Sequence, residues 1–266
     1  MALDLKRITG PMLENPAASC FGAAPFPSHP EPESARAHYN VGTALTAAGL
    51  FDDAVTSYER ALQLRPRYAK ALSNLGDTLV VLGRQAAAIQ RYEQAVAADP
   101  QMPEARNNLG AALWRKGELL RAERELNEAI RLRPDYAEAY FNLGHTAVRD
   151  KRLADAAAHF RKAATLKDDW LVALTSAAWV LATAGDGSVR APAEAVTFAE
   201  RAARLTARRD ARTLDVLAVS YASAGRFDDA VLTAREAQGL ADPALARQIG
   251  ARLAMFERRE AFVDKQ

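Results

Sequence analysis

The chain has 266 residues, 49% of them hydrophobic but only 7% aromatic, and its 35 Lys and Arg against 33 Asp and Glu leave a formal net charge of +2. A charge so balanced and interspersed points to neither nucleic acid nor a membrane surface, and no window reaches the roughly 18 consecutive apolar residues of a membrane span. The single cysteine, Cys20, excludes a disulfide within the chain and a thiolate metal cluster, so the expected setting is a soluble cytoplasmic protein.

Residues 1–34 come first. Pro recurs through NPAASCFGAAPFPSHPEPES without an apolar period, so a disordered or loosely docked tail is expected, and MALDLKRITGPMLENPAASCFGAAP lacks the apolar stretch of a signal peptide. From Ala35 the chain repeats itself. Gly42, Gly76, Gly110 and Gly144 stand 34 residues apart, as do Ala54, Ala88, Ala122 and Ala156, and Ala61, Ala95, Ala129 and Ala163. Pro66, Pro100 and Pro134 keep the step until Asp168 takes the next place. Tyr58, Tyr92, Leu126 and Phe160 form a column that is always large and apolar. A fixed period of this length marks a repeat architecture.

Each column has a physical role. A unit holds two helices of about 14 residues, each about 21 Å long. The first-helix Gly and the second-helix Ala residues are small, so two backbones approach closely, and the large column is expected to fill the gap between neighbouring pairs. Gly49, Gly83 and Gly117 suit the turn between the helices, and Pro stops the second helix. One pair cannot bury its apolar face alone, so stacking supplies the core.

The segment ARAHYNVGTALTAAGLFDDAVTSYERALQLRP and its three successors, AKALSNLGDTLVVLGRQAAAIQRYEQAVAADP, PEARNNLGAALWRKGELLRAERELNEAIRLRP and AEAYFNLGHTAVRDKRLADAAAHFRKAATLKD, resemble the tetratricopeptide repeat family over residues 35–168, with Lys151 at the turn Gly of the fourth. The resemblance implies an all-α, right-handed α-solenoid. Residues 169–242 read as two divergent units, giving about six helix pairs. Ala218 lies 40 residues after Ala178, so six residues have been added, and GDGSVRAPA places a loop insertion near 185–192. In residues 243–266, Asp242-Pro243 reads as an N-cap and first helical residue, opening a capping helix with Leu245, Ile249, Leu253 and Phe256 on one stripe that Arg252 interrupts.

One further column is polar. Asn40, Asn74, Asn108 and Asn142 each stand two residues before the small Gly, although Asn is a poor helix former. In the resembled family first helices line the concave surface, which implies that this column projects into a groove. An amide side chain carries a donor and an acceptor and can hold a peptide main chain without reading its side chains. The arrangement is similar to the asparagine ladder in the repeat domain of O-linked N-acetylglucosamine transferases, whose catalytic domain has no counterpart here. Helical spacing adds Tyr39, Lys70, Asp77, Asn107, Arg115, Phe141, His145 and Arg149 to the same face. A carboxylate clamp of the kind some family members carry is not expected, since Glu104 stands where a Lys is required.

No chemistry beyond binding is expected. His29, His38, His145 and His159 fall in no metal-ligand spacing, GDGS at 185–188 lacks the Lys and preceding strand of a phosphate loop, and Asp52-Asp53 and Asp228-Asp229 sit where helix N-termini favour acids. The Arg group at 201, 204, 208, 209 and 212 lacks the interleaved aromatics of a nucleic-acid site. The expectation is a non-enzymatic scaffold, with no catalytic residue, metal or cofactor, that binds a protein or peptide partner in its groove. The alternative is an accessory or targeting subunit of a separately encoded enzyme such as a glycosyltransferase.

Overall fold

In the computed structural model, which describes residues 34–264, α-helices follow one another and no strand occurs among the described residues. The tail expected over residues 1–34, with Cys20 and His29, lies outside them save for Ser34. The helices are α1 (Ala35–Ala47), α2 (Phe51–Leu64), α3 (Ala69–Val81), α4 (Gln85–Ala98), α5 (Pro103–Lys116), α6 (Leu119–Leu132), α7 (Ala137–Arg149), α8 (Leu153–Leu166), α9 (Leu171–Thr183), α10 (Pro192–Leu205), α11 (Ala211–Ser223), α12 (Phe227–Leu240) and α13 (Pro243–Glu257). They pair as hairpins, α1 with α2 through α11 with α12, and each pair stacks on the next.

The Gly and large-residue columns meet inside each hairpin. A Cβ built on Gly42, Gly76, Gly110 or Gly144 would come within 2.5 to 2.7 Å of Tyr58, Tyr92, Leu126 or Phe160 of the same unit. The large residue therefore fills the space between the two helices of its own unit rather than the gap between neighbouring pairs. Ala54, Ala61, Ala88, Ala95, Ala122 and Ala129 are fully buried where the backbones converge. The hairpin turns use left-handed Gly49, Gly83, Gly117 and Gly225, and Lys151 takes the same conformation at φ 58° in the fourth unit, at a cost of roughly 1 kcal/mol.

Curvature follows from which helices touch. α1 approaches α3, α3 approaches α5 and α5 approaches α7, and further along α9 approaches α11 and α11 approaches α13, whereas successive second helices make no comparable approach. The first-helix side is therefore the inner, concave side of the stack. The apolar core has one cluster running from α2 to α6 and a larger one from α7 to α13, and a small cluster of Leu126, Ala129, Ala139 and Leu143 lies between them.

Eight residues, Ala184 to Ala191, join α9 to α10 where three join α7 to α8, and five join α10 to α11 where four join α8 to α9. The added length is thus split between the loop and a second turn that contains left-handed Ala207 and Arg208. At α13 the Asp242 carboxylate accepts from the N–H groups of Ala244 and Leu245, with Pro243 at the first helical position. Arg252, which interrupts the apolar stripe, is buried because it pairs with Asp215 of α11.

Candidate functional site

α1, α3, α5 and the residues leading into α7 enclose an open groove of about 640 Å³, lined chiefly by Tyr39, Lys70, Asn74, Asp77, Glu104 and Tyr136. The helical repeat puts these side chains on one face because a step of 34 residues returns each to the same position of the next first helix. Lys70 and Asp77 are exposed, and Glu104 forms an ion pair with Arg133.

A directed chain of hydrogen bonds crosses the floor. Asp77 accepts from the Tyr92 hydroxyl at 2.6 Å and from the Asn108 amide nitrogen at 3.0 Å. A carboxylate only accepts, so Asn108 must turn its N–H₂ towards Asp77 and its carbonyl oxygen away. That oxygen accepts from Asn107 at 3.3 Å, and the Asn107 oxygen in turn accepts from Asn142 at 2.9 Å. Donors from units three and four thus point in sequence towards one acid in unit two. Asp77 is exposed as a whole, but its Oδ1 is held between Tyr92 of α4 and Asn108 of α5, and desolvation there pushes its carboxyl above the usual value against the pull of Tyr92 and Arg115. The Tyr92 phenol is raised as well, by desolvation and because its ionisation would set two anions in contact.

The column therefore staples units together. Asn74 donates to the Tyr39 hydroxyl at 3.3 Å, and Asn108 also reaches the Ser73 hydroxyl at 3.5 Å. The partners Tyr39, Ser73 and Asn107 each lie 35 residues before the amide they serve. The side-chain oxygens of Asn74 and Asn142 accept no hydrogen bond among the described residues, and Asn40 is exposed.

Farther along, the face turns aromatic. The His145 ring lies 4.5 Å from Phe141, 5.1 Å from Phe160 and 5.7 Å from Trp114. Desolvation there lowers its pKa to about 4, so it is neutral at neutral pH. Arg149 reaches back over Trp114 and donates to the Trp114 carbonyl at 2.6 Å.

The sequence-predicted residues thus separate. Tyr39, Lys70, Asn74, Asp77 and Asn108 line the groove. Asn107, expected on the groove surface, is only 7% exposed because its amide is enclosed by two neighbouring asparagines. Phe141 and His145 are packed into the aromatic cage, Arg149 is bound to unit three, and Arg115 is exposed beside Asp77. The sequence reading missed Tyr92, whose ring belongs to a packing column and whose hydroxyl serves the groove. Ser73, which helical spacing also places on this face, lines the groove as well. Among the described residues no cluster of three or more His, Cys, Asp or Glu could hold a metal ion, and no helix is long and apolar enough to cross a membrane.

A family model for the tetratricopeptide repeat matches residues 23–69, 42–103, 73–127 and 108–169. No curated protein matches the chain. Among solved structures, MamA is 26% identical over 64% of this chain and 96% of its own, with a TM-score of 0.54. Pseudomonas aeruginosa pilF is 21% identical over 82% of this chain and 96% of its own, with a TM-score of 0.69. YrrB, described as a TPR protein with an unusual peptide-binding site, is 18% identical over 73% of this chain and 97% of its own, with a TM-score of 0.59. The last two likenesses establish the fold alone.

Proposed function

Because the chain belongs to the tetratricopeptide repeat family, we propose that it is a non-catalytic interaction scaffold whose first-helix groove holds an extended segment of a partner protein. The observation that carries this reading is the division of two column amides, Asn74 and Asn142, into a spent side and an open side. The side-chain nitrogens of Asn74 and Asn142 are engaged by the preceding unit, while their side-chain oxygens accept nothing among the described residues. Fixed acceptors in units two and four suit the main-chain N–H groups of an extended peptide, which has no internal partner for them. Lys70 and Asp77 add one charge of each sign for side-chain selection. In this Asn74 and Asn142 would act like members of the ladder the column resembles in the transferase repeat domain, gripping main chain through their open side-chain oxygens.

Selection of random 12-residue peptides displayed on phage tests the reading. Peptides enriched on the wild-type chain should bind Asn74→Ala/Lys70→Ala at least tenfold more weakly, a loss of about 1.4 kcal/mol. The melting temperature should stay level, since Asn74 makes one long hydrogen bond and Lys70 is exposed. Equal binding by the double variant, or no enrichment on the wild type, overturns it.

A further inference from the structure

The first-helix face of unit five is occupied by the chain itself. After α13 the Glu260 N–H donates to the Met255 carbonyl at 3.0 Å and Arg259 lies at φ 60°, which turns the chain back. Residues 261–264 then run without regular secondary structure, each half-buried. The Phe262 ring lies 5.8 Å from Trp179 of α9. The Arg252 guanidinium lies 5.9 Å from the Trp179 ring and 5.7 Å from the Phe262 ring. The Asp264 main-chain N–H donates to the Thr183 carbonyl at 2.9 Å.

Register shows what surface receives this segment. Trp179 stands 34 residues after His145, in the column that carries Asp77, and Thr183 stands 34 residues after Arg149, in the column that carries Arg115. These are the unit-five members of the columns that line or border the groove. Thr183 closes α9, and last-turn carbonyls have no partner within their own helix. Asp215 holds Arg252 through two hydrogen bonds of 2.9 and 2.5 Å, so the charge is compensated and the guanidinium offers its flat face to the rings. The surface thus provides a slot for one aromatic side chain and, two residues on, a main-chain acceptor.

We propose that residues 260–264 are a resident ligand in a peptide subsite formed by Trp179, Arg252 and the Thr183 carbonyl, displaced by an extended partner segment with an aromatic residue two places before a non-proline residue. The inference rests on the groove-scaffold reading and extends it to unit five. The segment is built to leave. Its side chains are half-buried, no sheet or helix fixes it, and the turn that launches it puts an arginine where a glycine would be at ease.

Two measurements on the full chain test this. In the wild type, the Asp264 amide should exchange with solvent at least 100-fold faster than the buried amides of α9, as a segment that opens alone requires. A fluorescein-labelled peptide of residues 257–264, ERREAFVD, should bind the Phe262→Ala chain at least tenfold more tightly than the wild type, as read by fluorescence polarisation. Adding Trp179→Ala should abolish that binding, and a peptide with Pro in place of Asp264 should bind at least tenfold more weakly. Equal binding to wild type and Phe262→Ala, or an Asp264 amide as protected as the α9 core, overturns the proposal. So does a wild-type dimer that Phe262→Ala disperses in sedimentation, since the segment would then belong in a second copy. The probe touches neither Asn74 nor Lys70, so failure here is separable from failure of the phage selection.

Discussion

Asn107 and Asn108 occupy helical positions where Ala would be more stable in isolation, and the relay explains why they are there. Asp77 fixes the orientation of Asn108, Asn108 that of Asn107, and Asn107 that of Asn142, so one carboxylate orders polar groups across three units. Asp77→Asn removes the acceptor-only anchor and lets the amides rotate; the weakened bonds to Tyr92 and Asn108, offset in part by relief of the desolvated charge, should cost about 0.5–1.5 kcal/mol in urea unfolding. His145 carries a pH prediction. Its folded pKa is about 4, below the ordinary value of about 6.5, so the unfolded chain binds the extra proton between these limits. Stability from this group is complete above about pH 6.5 and is lost as pH falls towards 4. The wild type should therefore show a slope about 1 kcal/mol per pH unit steeper than His145→Gln between about pH 4.5 and 6. The asparagine column was legible because it repeats. Tyr39, Ser73 and Asn107 were legible as residues of the same face, but their bonds to the column were not, because they share a position but no chemistry.

Within the hairpins the glycines do opposite things according to what faces them. A Cβ on Gly144 would meet the Phe160 ring at 2.5 Å, and that ring is held by Phe141 and His145. Gly144→Ala should destabilise by about 1–3 kcal/mol. Gly239, inside α12, has nothing within 4 Å of the added carbon, and Gly239→Ala should stabilise by up to about 1 kcal/mol. Thermal unfolding of the two variants side by side checks the contrast. The periodic Gly, Ala and large columns make these hairpins readable from the order of the amino acids. The Arg252–Asp215 pair is not readable in that way: its members lie 37 residues apart in units outside the common register, and an arginine on an apolar stripe looks like an imperfection until its acid is located.

Across the whole stack, burial is uneven. Only Gly42 is buried in α1, whereas α11 buries ten of its thirteen residues. Hydrogen exchange should therefore be fastest in α1 and slowest across α9 to α11, with the stretch between the two large apolar clusters intermediate. Uniform protection along the stack would contradict this. The solenoid itself was written in the 34-residue step, but the returning C-terminal segment was not, since it depends on a turn after the last helix and has no counterpart in earlier units. The fit of each glycine to its own large residue has a consequence for ancestry. Both halves of that lock lie within one 34-residue module, so a duplicated or transplanted module carries them together and arrives already able to close. The amide relay spans modules and has no such inheritance: each shuffling event breaks it and selection must rebuild it, which makes the seams, more than the hairpins, the place where descendants of this chain diverge.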